Sequence, residues 1–186
     1  MTRGGTRGTA GIATRVLCVL PRGNRIAGCD SATPWQLSGA KGAALGVDKS
    51  LSVLGGGSLA VAARQAGLCT LQHRFPEACD LSCCSGISFF YRYTCELFAH
   101  TGKRGRNVGV RLRSGSRGFF EYMPIFPPFP EKSEDRYEWN LFQAAKSSLR
   151  AEGAPDLARV TDLEIIFGPE EPADFAFHLD AVIGET

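Results

Sequence analysis

Three closely spaced cysteines are the residues of this sequence with the most evident chemistry. They lie in the segment CDLSCCSGISFFYRYT, at Cys79, Cys83 and Cys84, and the chain has seven cysteines in all. The spacing of Cys79 and Cys83 is compatible with zinc, but no second pair of ligands follows at a useful distance. Because adjacent residues of a strand point to opposite faces, Cys83 and Cys84 would not serve one compact site. We therefore expect buried free thiols or one or two disulfides, and the odd count leaves at least one thiol unpaired in a monomer.

The histidines and carboxylates form no catalytic pattern. His73, His100 and His178 stand in separate segments, and none has a partner residue at a motif spacing. The sequence has none of the short motifs that mark a nucleophilic serine, a zinc protease or a phosphate-binding loop. Two acids can always be selected from 19 Asp and Glu residues, so a glycosidase pair has no support either. We expect a protein without enzymatic activity.

Positive charge is concentrated in the first two thirds of the chain. Residues 1–129 contain 16 Lys and Arg against 6 Asp and Glu, whereas residues 130–186 contain 5 against 13. A run without any acid consists of Lys103, Arg104, Arg106, Arg111, Arg113 and Arg117. Two interpretations stay open: the run binds phosphate, sulfate or uronate groups, or it is a solvated hairpin whose charges pair with the acidic strands. Nucleic acid is not an expected partner, since the net charge is only +2 and no nucleic-acid motif is present.

Short segments of alternating apolar and polar residues must position these side chains. In GISFFYRYT, the residues Ile87, Phe89, Tyr91 and Tyr93 share one face, and NVGVRLRSG, RVTDLEIIFG and DFAFHLDAVIG alternate in the same way. Glycine and serine at 114–118 predict a hairpin, Trp139–Phe142 is predicted as a strand, and Ala144–Arg150 is predicted as a short helical turn. No apolar run approaches the length of a membrane span. The pattern predicts an all-β protein, a two-sheet antiparallel β-sandwich of the jelly-roll type.

The first 25 residues differ from the rest in composition. The segment up to Asp30 contains five arginines and no acid, and it is rich in Thr and Gly. This composition is typical of an organelle transit peptide, although a flexible basic arm or a start inside a longer protein would look the same. We assign residues 1–25 to a basic arm or transit-like segment and residues 26–186 to one β-sandwich domain. We expect an organellar location, or an extracellular one if the chain is a piece of a secreted protein.

Five segments in order carry a resemblance to a known family. They are IAGCDSATPW, GGGSLAV, CDLSCCSGISFFYRYT, YEWNLFQ with APDLARVTDLEIIF, and FAFHLDAVIG. From about Ile26 to Ile183 the chain resembles the galactose-binding-like jelly rolls. These include several non-catalytic carbohydrate-binding modules and the domain of the complex I intermediate-associated proteins. The resemblance implies the fold, while function must be argued from a site.

The resemblance implies two sites. A structural calcium ion would lie between the opening and closing strands, with Asp30 and Asp180 as ligands and backbone carbonyls and Asp48 completing its shell. A carbohydrate, and with this many arginines an acidic glycan, would lie on the concave sheet. The outward residues there would be Phe90, Arg92, Arg111, Arg113, Glu121 and His178. If the alternation were shifted by one residue, the exposed rings would be Tyr91, Tyr93, Phe120 and Tyr122. In a third interpretation the rings are core and the arginines pair with acidic strands.

A proline-rich segment, MPIFPPFP, is a further candidate for partner binding. Its Phe126 and Phe129 stand between prolines, which favours an extended loop that docks on a partner or packs on the domain's own core. Two functions follow as alternatives. The first is a non-catalytic module that binds carbohydrate. The second is an accessory or assembly subunit of an organellar complex, held by the basic arm and this loop and binding no sugar.

Overall fold

In this computed structural model, the described residues are 22–39, 41–95, 107–124, 139–169 and 171–186. They form twelve strands: β1 (Gly23–Ala27), β2 (Trp35–Ser38), β3 (Ala44–Asp48), β4 (Ser58–Ala66), β5 (Cys69–Cys79), β6 (Gly86–Cys95), β7 (Asn107–Arg113), β8 (Gly118–Tyr122), β9 (Asn140–Ala145), β10 (Arg150–Gly153), β11 (Val160–Gly168) and β12 (Ala173–Glu185). Within these ranges no helix is long and apolar enough to cross a membrane.

The strands form two antiparallel sheets of six strands each. Sheet 1 has the order β3-β4-β12-β6-β9, and β1 also pairs with β12. β4 and β1 pair with successive parts of β12. β4 pairs with Ala173–Leu179, and β1 pairs with the stretch from Val182 to Glu185. Sheet 2 has the order β10-β8-β7-β11-β5-β2. The predicted all-β, two-sheet antiparallel sandwich is thereby confirmed.

The core lies between the sheets and is built by the alternating residues. On β6 the inward positions Ile87, Phe89, Tyr91 and Tyr93 are all buried in one large cluster. The inward side chains of β7, β11 and β12 join it: Val108, Val110, Leu112, Leu163, Ile165, Phe167, Phe175, Phe177 and Leu179. The predicted alternation therefore has the right phase, and the alternative in which Tyr91 and Tyr93 are exposed is wrong. Stacked rings such as Phe167 on Phe177, with centroids 4.0 Å apart, join the sheets.

Local structure differs from the sequence predictions in three places. The helical turn predicted over Ala144–Arg150 is a 3-10 turn of three residues, Lys146–Ser148, because strand β9 continues to Ala145. β9 begins at Asn140, one residue after the predicted start. β1 begins at Gly23, inside the segment assigned to the arm, while residues 1–21 lie outside the described residues.

The loop between β3 and β4 covers part of the outer side of sheet 1. Val53 and Leu54 of this loop pack on a second apolar cluster of Phe90, Ala181 and Ile183, together with Trp139 and Leu141. The loop is tied down by Asp180, which accepts hydrogen bonds from the backbone N–H groups of Val53 and Leu54. Part of this sheet's outer side is therefore closed by the chain itself.

Candidate ligand-binding face

The six residues predicted to bind a ligand do not share a surface. Phe90 and Arg92 lie on β6 and His178 on β12, all in sheet 1. Arg111, Arg113 and Glu121 lie on β7 and β8, in sheet 2. All six do point away from the core between the sheets. Because outward residues of two packed sheets point in opposite directions, the prediction of one common face is wrong.

Phe90 is not available to a ligand at all. Its side chain points away from the sandwich core, as the alternation predicts. It is nevertheless fully buried, because the loop between β3 and β4, which we call the covering loop, packs on it. Period-two alternation separates two faces of a strand, but it does not show whether a loop returns over one of them. The prediction that Phe90 faces ligand or solvent is therefore wrong.

Arg92 and His178 are neighbours across β6 and β12 but form no open polar surface. His178 Nε2 lies 3.5 Å from Asp48 Oδ2, and its ring packs edge-on against Trp139. Burial lowers the pKa of His178, and the nearby Asp48 opposes this effect without overcoming it. His178 is therefore neutral at pH 7, and its contact with Asp48 is a hydrogen-bonding contact more than an ion pair.

The outer face of sheet 2 instead carries an ordered polar surface. The pairing register aligns one outward residue from every strand into a row that crosses all six strands: Gln36, Gln72, Glu164, Arg111, Glu121 and Arg150. With strands about 4.8 Å apart, this row is ~24 Å long. A second row beside it contains Arg74, Asp162, Arg113, Phe119 and Glu152. We call these two rows the polar face.

Glu164 is the centre of the polar face. Its carboxylate accepts hydrogen bonds from Arg111 Nη1 at 3.2 Å and from Arg113 Nη2 at 3.3 Å, and it also accepts one from Arg113 Nε. Arg111 Nε binds Glu121 at 2.8 Å. The Glu164 side chain is only 7% exposed, whereas the two guanidinium groups are partly exposed. This pairing restricts the rotamers of four long side chains before any ligand arrives.

A similar cluster of hydrogen bonds surrounds Asp162 in the second row. Asp162 Oδ1 accepts hydrogen bonds from Gln72 Nε2 at 2.8 Å and Arg74 Nε at 3.0 Å, and Asp162 Oδ2 accepts one from Thr161 at 2.7 Å. Burial alone would raise the pKa of Asp162. The hydrogen bonds from Thr161, Arg74 and Gln72 together outweigh it, so the pKa lies below its usual value. Asp162 is ionised and cancels the charge of Arg74.

Phe119 adds an aromatic ring to the polar face. The hairpin predicted at 114–118 exists, and β8 starts with Gly118 at φ +130°, where a Cβ would lie 2.0 Å from the Glu152 carbonyl oxygen. The register of β7 with β8 sets Phe119 opposite Arg113. The ring centroid lies 4.4 Å from Arg111 Cζ and 5.4 Å from Arg113 Cζ. Phe119 is half-buried, so its ring supports the guanidinium groups and remains accessible.

Sequence reasoning missed eight members of this face: Gln36, Gln72, Arg74, Phe119, Arg150, Glu152, Asp162 and Glu164. A signal was present for two of them, because assigning Leu163, Ile165 and Phe167 inward leaves Asp162 and Glu164 outward. No local pattern shows that β11 lies between β5 and β7, which is what brings these acids beside the arginines. The earlier interpretation that arginines pair with acidic C-terminal strands is confirmed for Arg111 and Arg113.

The two acids assigned to calcium do come together, but with an arginine between them. Arg25 Nη2 lies 3.2 Å from Asp30 Oδ2 and 3.9 Å from Asp180 Oδ1. Asp48 is engaged elsewhere, because its Oδ1 accepts hydrogen bonds from Ser50. Calcium needs six to eight oxygen ligands, and no group of three metal-ligating side chains exists among the described residues. The residues therefore do not fit a calcium ion while Arg25 occupies this position.

The cysteines whose side chains the structure describes are free thiols. They are Cys29, Cys69, Cys79, Cys83 and Cys84. Burial, with a smaller effect from Asp180, raises the pKa of Cys29 to about 12, and burial raises the pKa of Cys69 to about 11. Both are protonated and unreactive in the folded protein. Phe126 and Phe129 of the proline-rich loop lie outside the described residues, so their predicted partner-binding role stays a prediction.

Comparison with known proteins places the fold in a defined class. No protein-family model matches the sequence, and no curated protein matches it. Among solved structures, a carbohydrate-binding module specific for non-crystalline cellulose, of family 28, superposes with a TM-score of 0.62 at 14% identity, covering 89% of this chain and 97% of the module. The family 11 module of a cellulosomal cellulase of Clostridium thermocellum gives 0.57 at 14% identity, covering 89% and 96%. The same family 11 module with a β-1,3-1,4-mixed-linked tetrasaccharide gives 0.54 at 15%. The chain is a β-sandwich jelly roll with the fold of these modules, as the resemblance implied.

Proposed function

We propose that this domain is a non-catalytic binding module whose ligand is a neutral, hydroxyl-rich glycan lying across the polar face of sheet 2. The observation that carries the proposal is the row of polar side chains in register over all six strands. Sugar recognition needs fixed hydrogen-bonding groups beside an apolar ring, and Gln72, Arg111 and Phe119 supply these elements within two adjacent rows. The solved modules of the same fold support carbohydrate as the ligand class.

The charge of the polar face favours a neutral ligand over an acidic one. It carries four arginines and four acids, namely Arg74, Arg111, Arg113, Arg150, Glu121, Glu152, Asp162 and Glu164. The two central arginines are each held by at least one carboxylate. A uronate or sulfate would have to compete with Glu164 and Glu121 for these arginines, which weakens the existing charge-assisted bonds. Sugar hydroxyl groups can form hydrogen bonds with the same arginines and acids without breaking their ion pairs.

The same pairing argues against hydrolysis of the ligand. A glycosidase needs one carboxyl group placed as an acid and another as base or nucleophile. Glu121 and Glu164 both accept hydrogen bonds from Arg111, so neither is placed as a proton donor. Binding without bond cleavage is the activity that this arrangement supports.

Affinity electrophoresis in gels that contain soluble polysaccharides tests the proposal. We expect retardation by at least one neutral β-glucan, xylan or mannan and none by a polyuronate. Phe119→Ala and Gln72→Ala should weaken binding about tenfold or more, a loss of about 1.4 kcal/mol. Leu68→Ala, at an exposed apolar residue, and Gln143→Ala, on the outer side of sheet 1, are matched controls that should bind like the unmodified protein.

Two outcomes would contradict the proposal. Retardation by polyuronate alone would show that the arginines are available to anions, as the sequence first suggested. No retardation in any gel would favour the alternative of an accessory or assembly subunit of an organellar complex. That alternative stays a prediction, because the arm and the proline-rich loop on which it depends lie outside the described residues.

A further inference from the structure

Arg25 occupies the position between the first and last strands where two carboxylates converge. β1 pairs with β12 through Arg25 opposite Ile183, and the register shifts immediately afterwards, between Arg25 and Ala27. β12 is also irregular close to this position. Its pairing with β6 shifts register between Asp180 and Ile183, and Ala181 has φ +51°. These two irregularities bring one guanidinium nitrogen within 3.2 Å of Asp30 Oδ2 and 3.9 Å of Asp180 Oδ1.

Each of the two carboxylates uses its other oxygen to hold the covering loop of sheet 1. Asp180 Oδ2 accepts hydrogen bonds from the N–H groups of Val53 at 2.6 Å and Leu54 at 2.9 Å. Asp30 Oδ1 accepts one from the N–H of Gly56 at 2.8 Å. One cation therefore links β1, the segment after β1, the covering loop and β12.

The charge of Arg25 matters more for the stability of Asp180 than for that of Asp30. The side chain of Asp180 is 0% exposed, and its Oδ1, the oxygen nearest Arg25, has no hydrogen-bond partner among the described residues. Burial raises the pKa of Asp180, while the N–H groups of Leu54 and Val53 and the charge of Arg25 work in the opposite direction. A buried carboxylate without an opposite charge is strongly unfavourable, and Arg25 is the cation within reach in the described part of the chain.

We propose that Arg25 is the built-in cation of this site, standing where the resemblance implied a calcium ion, so that the domain closes its first and last strands without any metal. The side chain supplies a permanent positive charge from within the sequence. The covering loop and the buried Phe90 cluster are held by this contact and do not depend on a dissociable ion.

Thermal unfolding with and without divalent ions tests the proposal. The melting temperature of the unmodified protein should be the same in EDTA and in millimolar calcium. Arg25→Ala should lower it by about 4–8 °C, and Arg25→Lys, which keeps the charge, should recover part of the loss. Arg22→Ala, at an exposed arginine just before β1, is the matched control and should change it by no more than about 2 °C.

The pH dependence separates a charge effect from lost packing. Without Arg25 the pKa of Asp180 in the folded state should rise further, so the penalty exists when Asp180 is ionised and disappears when it is protonated. The gap in melting temperature between Arg25→Ala and the unmodified protein should therefore narrow from neutral pH towards about pH 4. A gap that does not change with pH, or a melting temperature that falls in EDTA and returns with calcium, would overturn the proposal.

Discussion

Replacing Glu164 by Gln is the most direct test of the ion-pair network on the polar face. The substitution keeps the shape of the side chain but removes the charge that is shared by Arg111 and Arg113. Arg111 keeps Glu121 as a partner, whereas Arg113 loses the group whose hydrogen bond raises its pKa. The polar face would then carry one uncompensated positive charge at its centre.

The expected cost follows from the burial of the three groups. Breaking a fully buried ion pair by removing one partner costs about 3–5 kcal/mol. Glu164 is nearly fully buried, but the side chains of Arg111 and Arg113 are 25% and 36% exposed, so water replaces part of the lost interaction. We expect Glu164→Gln to lower the free energy of unfolding by about 1.5–2.5 kcal/mol, which corresponds to about 4–8 °C in melting temperature.

Urea unfolding at neutral pH, followed by tryptophan fluorescence, measures this difference. Glu152→Gln is the matched control, because Glu152 is an exposed acid of the same face and should contribute no more than about 0.5 kcal/mol. A double-mutant cycle with Arg113→Gln should give a coupling free energy of about 1 kcal/mol or more between residues 113 and 164. If Glu164→Gln were as stable as Glu152→Gln, or if the coupling were zero, the network would not stabilise the fold and the reasoning would be refuted.

Three further predictions concern other parts of the domain. Phe90→Leu should destabilise the protein by about 1–1.5 kcal/mol without changing glycan affinity, and an affinity loss in the folded variant would return Phe90 to the binding site. Because Asp162 has a lowered pKa, its contribution to stability is present above the ordinary Asp value and is lost as the pH falls through the folded value. The urea midpoints of Asp162→Asn and the unmodified protein should therefore converge in acid, and a constant gap would count against this assignment. A thiol-alkylating reagent should label Cys83 in the native protein and reach Cys29 and Cys69 only after unfolding, as peptide mass spectrometry can show, and early labelling of Cys29 would contradict its burial.

Much of the fold could be predicted because the alternation of apolar and polar residues within each strand shows which side chains face the core. The alternation on β6 and β12 assigned Phe89, Tyr91 and Phe177 to the core, and all three are buried there. The hairpin between β7 and β8 followed from its glycines and serines, since short turns have local chemistry. These predictions needed only neighbouring residues in the chain.

The candidate site could be predicted only in part. Arg111, Arg113 and Glu121 were found because they alternate with core residues on strands joined by one hairpin. Gln36 and Gln72 were missed because a single polar residue on a strand carries no signal of its own. The calcium prediction named two acids that do converge in the structure, but nothing local indicated that Arg25 would be placed between them by the pairing of β1 with β12.

The sequence by itself determined which side of each strand faces the core, because a pleated strand sends successive side chains to opposite faces. Only the tertiary structure decided which strands from distant parts of the chain lie side by side, and therefore that Glu164 meets Arg111 and Arg113 while His178 belongs to the opposite sheet. It also decided that Phe90 and Asp180, both on outward positions, are buried under the loop between β3 and β4. Strand order and loop coverage depend on contacts between residues far apart in the chain, and period-two alternation contains no information about them.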